Sequence, residues 1–340
     1  MESKLEIKQL AESEISLWDK LAEVSPQSTV FHTLVWLKAI EKYTNTKLML
    51  LVGLDNEEIF AAIPFFYKKA GGFLKRLFSP PYNTLVPYLG PVFPYSDQWK
   101  QSKWESRLTG FTKELDDYIN SSIGPDCVCI STPTNLQDIR GFLWTGYSAS
   151  PNYTYVGDIR DKSQVWQGFS RSVRRKIEKA ESDRIEISES GADGYRFITE
   201  SFLKDLRDDG IRLDLSVNYF LDLYESLQSN HFRVFISTQN GNRIGGLVVV
   251  TYKDTASFWL GGVRANLKGT YPNLLLYWKA IEWASEHGYR YSDLLGADMA
   301  HISAFKSGFN FGLRTFYDLR KSTAKYRLFV NGVTKYLTKA

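Results

Sequence analysis

The sequence predicts an α/β protein made of two similar domains, each a mixed central sheet flanked by helices. Three observations predict it. Two hairpins read alike, one from Leu48 through an Asp-Asn-Glu-Glu turn to Tyr67, the other from Phe232 through Gln239-Asn240-Gly241-Asn242 to Tyr252. Each is followed by the order helix, strand, helix, strand, which reads as a tandem duplication. The best-patterned stretch, Thr270 to Phe309, gives that order most clearly, and such an order presents a ligand site at its strand ends. The expected division is 1–155, 156–322 and a basic tail at 323–340.

In the first half, residues 3–8 alternate as a strand, and helical periods fit 13–22 and 34–43. The first hairpin comes next. Residues 70–94 carry Pro80, Pro81, Pro87, Pro91 and Pro94 among glycines and aromatics, so they read as extended backbone and ordered loop. A helix fits 97–120, a strand 126–131 and a helix 135–143. In the second half, helices fit 163–181, 193–207 and 216–229. The second hairpin follows, with Asn-Gly as its turn signal, and then a strand at 255–262. Pro272 opens an amphipathic helix whose face holds Leu274, Tyr277, Trp278, Ile281 and Ala284, and Gly288 stops it. A strand at 290–295 ends at Gly296, a compact loop or helix carries Phe305 and Lys306, and a last strand lies near 313–319.

Composition bounds the function. The chain has 340 residues, 43% hydrophobic and 15% aromatic, enough for packed cores. A formal net charge of +4 leaves polyanion binding to local patches. The N-terminus has no signal-peptide core, and the longest apolar runs, such as Leu48 to Leu54, fall far short of the ~20 residues of a spanning helix. Cys127 and Cys129 share one face of a strand and match no zinc spacing, so no metal is expected. These features place the chain in the cytoplasm.

The two repeat ends differ where chemistry could sit. Aligning Phe142 of I-R-G-F-L-W-T-G-Y with Phe305 of I-S-A-F-K-S-G-F sets Leu143 opposite Lys306, which makes the second copy the reactive half. Lys306 could hold a donor phosphate or an oxyanion, with Phe305 positioning it. Asp293, Asp298 and His301 lie near the same strand end and could accept a proton. The competing readings are a surface lysine, a structural carboxylate and a backbone-bonded loop histidine. A second constellation, 170–180, carries Arg171, Arg174, Arg175, Lys176 and Lys179 on one predicted helix, a stripe for phosphates or else a solvated face. Trp259 and Tyr271 flank the strand end and loop before the amphipathic helix and are expected to line a cleft.

Gly288-x-Arg290-x-x-Asp293-Leu294 followed by Phe305-Lys306-x-Gly308-Phe309 resembles the second domain of Fem-type and BioF2-like acyltransferases, which belong to the GNAT superfamily. Thr33-x-x-Trp36 resembles their N-terminal signature. The resemblance implies two tandem GNAT-like (acyl-CoA N-acyltransferase-like) domains, the first degenerate on the acceptor side and the second on the donor side. It also implies that Lys306 lies at the acyl-donor site and that the arginine-rich helix serves the donor, with Trp36 and Tyr219 as acceptor residues. Two departures stand out. Ahead of Pro272 the chain reads V-R-A-N-L-K-G-T-Y, with Gly269 but without the R/Q-x-x-G-x-G/A of acyl-CoA enzymes. Leu215 stands four residues before Tyr219, where murein-building members place an arginine.

The function expected is peptidyltransferase-like N-acyl transfer from a phosphate-bearing donor, aminoacyl-tRNA before acyl-CoA, to a small amine or peptide. No cofactor is expected beyond that co-substrate. A non-catalytic polyanion-binding protein of the same fold is the alternative of another class. The tail from Thr323 alternates apolar and basic residues at helical spacing, which fits packing on the domain or peripheral membrane contact.

Overall fold

The computed structural model describes residues 5–208, 210, 213, 215–263 and 269–337. In chain order the first half holds β1 (Leu5–Gln9), α1 (Leu17–Glu23), α2 (Leu34–Thr44), β2 (Lys47–Asp55), β3 (Glu58–Ala70), β4 (Leu74–Ser79), α3 (Gln101–Tyr118), β5 (Cys127–Ser131), α4 (Arg140–Trp144) and β6 (Ser148–Asp158). The second holds α5 (Lys162–Gly168), α6 (Arg171–Ser182), β7 (Glu186–Ser190), α7 (Ala192–Asp208), α8 (Val217–His231), β8 (Phe232–Gln239), β9 (Asn242–Tyr252), β10 (Thr255–Val263), α9 (Pro272–Glu286), β11 (Tyr291–Asp293), α10 (Ala300–Ser307), β12 (Gly312–Ser322) and α11 (Ala324–Leu337).

The chain forms two compact units, Met1–Pro151 with Thr315–Ala340, and Asn152–Arg314. Unit 1 orders its strands β1-β2-β3-β4-β5-β12, and unit 2 orders them β7-β8-β9-β10-β11-β6. The pairings match position by position. Three antiparallel contacts are followed by one parallel contact, β4 with β5 or β10 with β11, and an antiparallel closing strand. Both hairpin turns place two residues at positive φ, Asn56 and Glu57 in the first, Asn240 and Gly241 in the second, the geometry that follows strand twist. The expected tandem pair is therefore present, but sequence order misplaces its boundary. β12 and the tail belong to unit 1, because Leu319 and Phe316 are buried and β12 closes the ladder on β5 from Cys127 to Ser131.

Most expected elements form, and the exceptions have local causes. The helix expected at 163–181 breaks into α5 and α6 at Phe169, which is buried and extended, and the Ser170 hydroxyl then caps α6 by accepting the Val173 N–H. The helix expected at 135–143 shrinks to α4, because the Asp138 carboxylate takes up the Arg140 N–H and starts the helix there. The 290–295 strand stops at Asp293, since Leu295 and Gly296 both turn at positive φ. β7 has no alternating apolar pattern to announce it, and β4 lies inside the stretch read as loop. Unit 1 packs Phe60, Phe65, Phe93, Phe111 and Phe142 into one core, and unit 2 packs Phe235, Phe258, Trp278, Ile281 and Phe309 into another. Cys127 and Cys129 are buried free thiols on β5, with their sulfurs 3.6 Å apart.

Candidate functional site

In unit 2 the parallel pair opens early. β10 and β11 share three register pairs, Thr255 with Tyr291 to Ser257 with Asp293. β10 then runs on to Val263 along β9, with a bulge between Phe258 and Leu260. The other side leaves it: the Leu294 N–H donates to the Tyr155 carbonyl at 2.9 Å and the Ala297 N–H to the Tyr153 carbonyl at 2.8 Å. Among the described residues a wedge therefore opens between the far half of β10 and the 294–297 segment. Unit 1 has the same junction but fills it. There the chain between β4 and α3 returns as 89–92, where the Leu89 N–H donates to the Ser131 carbonyl at 2.9 Å and Val92 bridges Ala62. Leu89, Gly90 and Val92 are buried, and Gly90 lies so close to Ser131 and Thr132 that an added Cβ would meet them at 3.1 Å. In unit 2 the equivalent connection spans only 264–271, of which 264–268 lie outside the described residues.

Lys306 sits at the wedge rim, though not as an exposed cation. Only 6% of it is accessible, and its ammonium donates to the Leu295 carbonyl and, at 2.8 Å, to the Gly296 carbonyl. α10 thus clamps the turn that forms one wall. Burial pushes the Lys306 pKa down to about 8, against the opposing pull of the Asp293 and Asp298 carboxylates. Asp293 is itself buried and accepts from the Thr154 hydroxyl at 2.6 Å and the Leu295 N–H at 3.0 Å. Asp298 is exposed and accepts the Tyr153 N–H at 2.9 Å. Phe305 stands edge-on to Tyr277 of α9 with ring centres 5.1 Å apart.

α6 supplies the charge. Arg171 and Arg175 are exposed and Arg174 is half-buried, and no carboxylate pairs with any of the three among the described residues. Lys176 lies 5.1 Å over the ring of Tyr271, which immediately precedes the first turn of α9. The start of α6 abuts the end of α10, where the Ser170 N–H donates to the Gly308 carbonyl at 2.9 Å. Unpaired cations beside a helix N-terminus form a place for phosphate oxygens.

Residues 167–307 match the family described as an acetyltransferase (GNAT) domain. Among solved structures, FemX superposes with a TM-score of 0.68 at 13% identity, over 92% of this chain and 96% of its own. The chain has the Fem-like tandem GNAT fold. A tandem GNAT protein from the clavulanic acid biosynthesis pathway superposes with a TM-score of 0.54 at 12% identity, over 94% of this chain and 98% of that one. L-PGS from Bacillus licheniformis does so at 0.53 and 11%, over 88% and 91%. No curated protein matches the sequence.

Not every expected site residue of this chain reaches the wedge. Trp259 packs on Phe220 of α8 and Phe232 of β8, both at 5.9 Å between ring centres, whereas its neighbour Phe258 packs on Tyr277 of α9. Strand alternation thus turns Trp259 to the sheet face away from α9. Tyr271 does sit at the α9 N-terminus, but its ring is engaged by Lys176. Lys179 is paired to Asp183 at 2.8 Å. Gly269 is exposed, with a positive φ and open space around it. His301 is exposed in the first turn of α10. Trp36 and Tyr219 are fully buried, Trp36 edge-on to Phe31 and Tyr219 edge-on to Phe220, so neither offers a surface to an acceptor. Leu143 is 43% exposed, so the position aligned with Lys306 is not a buried clamp in unit 1. The 295–296 carbonyls, Thr154 and the β10 bulge were not singled out in the sequence, where only Gly296 signalled a turn. No group of three or more metal-ligating side chains occurs among the described residues. No helix there is long and apolar enough to cross a membrane.

Proposed function

We propose that this protein is an N-acyltransferase that draws the acyl end of a phosphate-bearing donor, an aminoacyl-tRNA in the preferred reading, into the unit 2 wedge. The observation that supports it is the contrast between the copies. Unit 1 fills its wedge with residues 89–92, whereas in unit 2 β10 and β11 part after Ser257 beside three arginines that have no carboxylate partner among the described residues. In this reading Arg171, Arg174, Arg175 and Lys176 hold donor phosphates, and β10 backbone N–H groups beyond Ser257 hold the acyl carbonyl and its oxyanion. A neutral amine attacks the carbonyl, the amide C–N bond forms, and the ester C–O bond breaks. The leaving hydroxyl takes up a proton, and the amine gives one to water or to exposed Asp298. Lys306 acts as a positioning residue through its hold on the 295–296 turn. The acyl-CoA reading uses the same wedge, with a thioester C–S bond in place of the C–O bond.

The test is incubation of the protein with tRNA charged with labelled amino acids, or with acetyl-CoA, together with a panel of small amines and peptides. Mass analysis then reads the products. Amide formed from charged tRNA supports the preferred reading. Amide formed from acetyl-CoA alone moves the donor to CoA. No product with either donor, alongside salt-sensitive tRNA binding, would leave a polyanion-binding protein on this fold.

A further inference from the structure

Unit 1 carries a second concavity, away from its filled wedge. A cavity of about 390 Å³ opens between α3 and α4, within the size range of small-molecule sites. We propose that it is a saccharide-binding subsite, with one pyranose ring laid on the exposed ring of Trp144.

Trp144 is 66% exposed, a large apolar ring kept at the surface on a short helix. The Arg140 guanidinium stands 5.8 Å over the ring. That guanidinium is held by Asp138 through Nε at 2.9 Å and Nη2 at 2.8 Å, and by Glu105 through Nη2 at 2.8 Å. Nη1 of Arg140 and the second carboxylate oxygen of Glu105 bond to no other described residue. Along the α3 wall, Ser102, Ser106 and Thr109 follow the i, i+4, i+7 face, and none of their hydroxyls bonds to another described residue.

This inventory selects a ligand class. Two carboxylates against one arginine give −2 + 1 = −1, which repels phosphate. An apolar ligand would strand three hydroxyls. Alternating donors and acceptors beside a flat ring match vicinal hydroxyls on one side of a sugar and its C–H face on the other. The feature is particular to copy one. In the alignment of Phe142 with Phe305, Arg140 falls on Ser303, which bonds to the Tyr155 hydroxyl, and Trp144 falls on Ser307.

The experiment titrates the full chain with cellobiose, maltose and N,N′-diacetylchitobiose, read by calorimetry and tryptophan fluorescence. At least one sugar is expected to saturate in the millimolar range, and Trp144→Ala should weaken it about tenfold. Thr109→Trp, which fills the cavity from the α3 side, should weaken it as well while circular dichroism stays unchanged. The proposal is overturned if no sugar saturates below about 50 mM, or if Trp144→Ala binds as tightly as the parent. Binding of spermidine with no sugar binding would assign the cavity to a cation and overturn it too. None of these readouts depends on acyl transfer.

Discussion

Lys306 illustrates how one side chain differs from its reading in sequence. A lysine in a Phe-Lys-x-Gly-Phe motif suggests a hand reaching for the donor, yet its amine is occupied by two carbonyls. Its folded pKa near 8 lies below the ordinary 10.5. Between those values the unfolded chain holds a proton that the folded chain has lost, so stability rises with pH across that window. Relative to Lys306→Met, the parent should gain about 2–3 kcal/mol between pH 8 and 10.5, measured by urea unfolding, and nothing further below pH 7. A flat difference would mean that the amine is not buried. Transfer by Lys306→Met should fall at least about tenfold in kcat with donor binding intact, because the wall of the wedge loosens while the arginines stay. A second residue-scale test comes from the first hairpin. Glu57 holds φ at 72°, where the matching residue of the second hairpin is Gly241. Glu57→Gly should therefore raise stability by roughly 0.5–1 kcal/mol, read as a shift in the denaturation midpoint.

Among the elements, α6 makes the sharpest commitment. Its inner face is Val173, Ile177 and Ala180, all buried, so its orientation is set by packing and its arginines are carried outward as a consequence. Replacing Arg171, Arg174 and Arg175 with Gln should flatten the log–log salt dependence of tRNA binding by about two to three, at roughly 0.7–0.9 per phosphate contact. An unchanged slope would return the helix to a solvated face. Ser170→Ala removes the cap and should cost about 1 kcal/mol. The junction with α10 should persist, since it is the Ser170 backbone N–H that donates to the Gly308 carbonyl.

For the molecule as a whole, the exchange of closing strands matters most. Unit 2 holds β7 to β11 and the part of β6 that pairs with β11, Val156 to Asp158, within 152–314, whereas unit 1 needs 315–322 to cover β5. The fragment 152–314 is expected to unfold cooperatively on its own. The fragment 1–151, with β5 left as a bare hydrophobic edge, should aggregate or stay unfolded until a peptide carrying 312–322 is added. Cooperative folding of 1–151 alone would show β12 to be dispensable.

Local pattern carried much of this protein. The paired hairpins, the 3.6-residue face of α9, Pro272 and Gly288 at its ends and the basic face of α6 depend on neighbours a few residues apart, and period and turn chemistry report such neighbours directly. The tandem α/β architecture was legible for the same reason. Tertiary structure decided the rest. It filled the unit 1 wedge with residues 89–92, parted β10 from β11 after Ser257 in unit 2, and took Lys306 into a turn eleven residues back. It turned Trp259 to the far sheet face, buried Trp36 and Tyr219, and moved β12 into unit 1. Each of these outcomes depends on which buried polar groups and strand edges found partners far along the chain, and no local period encodes a partner at that distance.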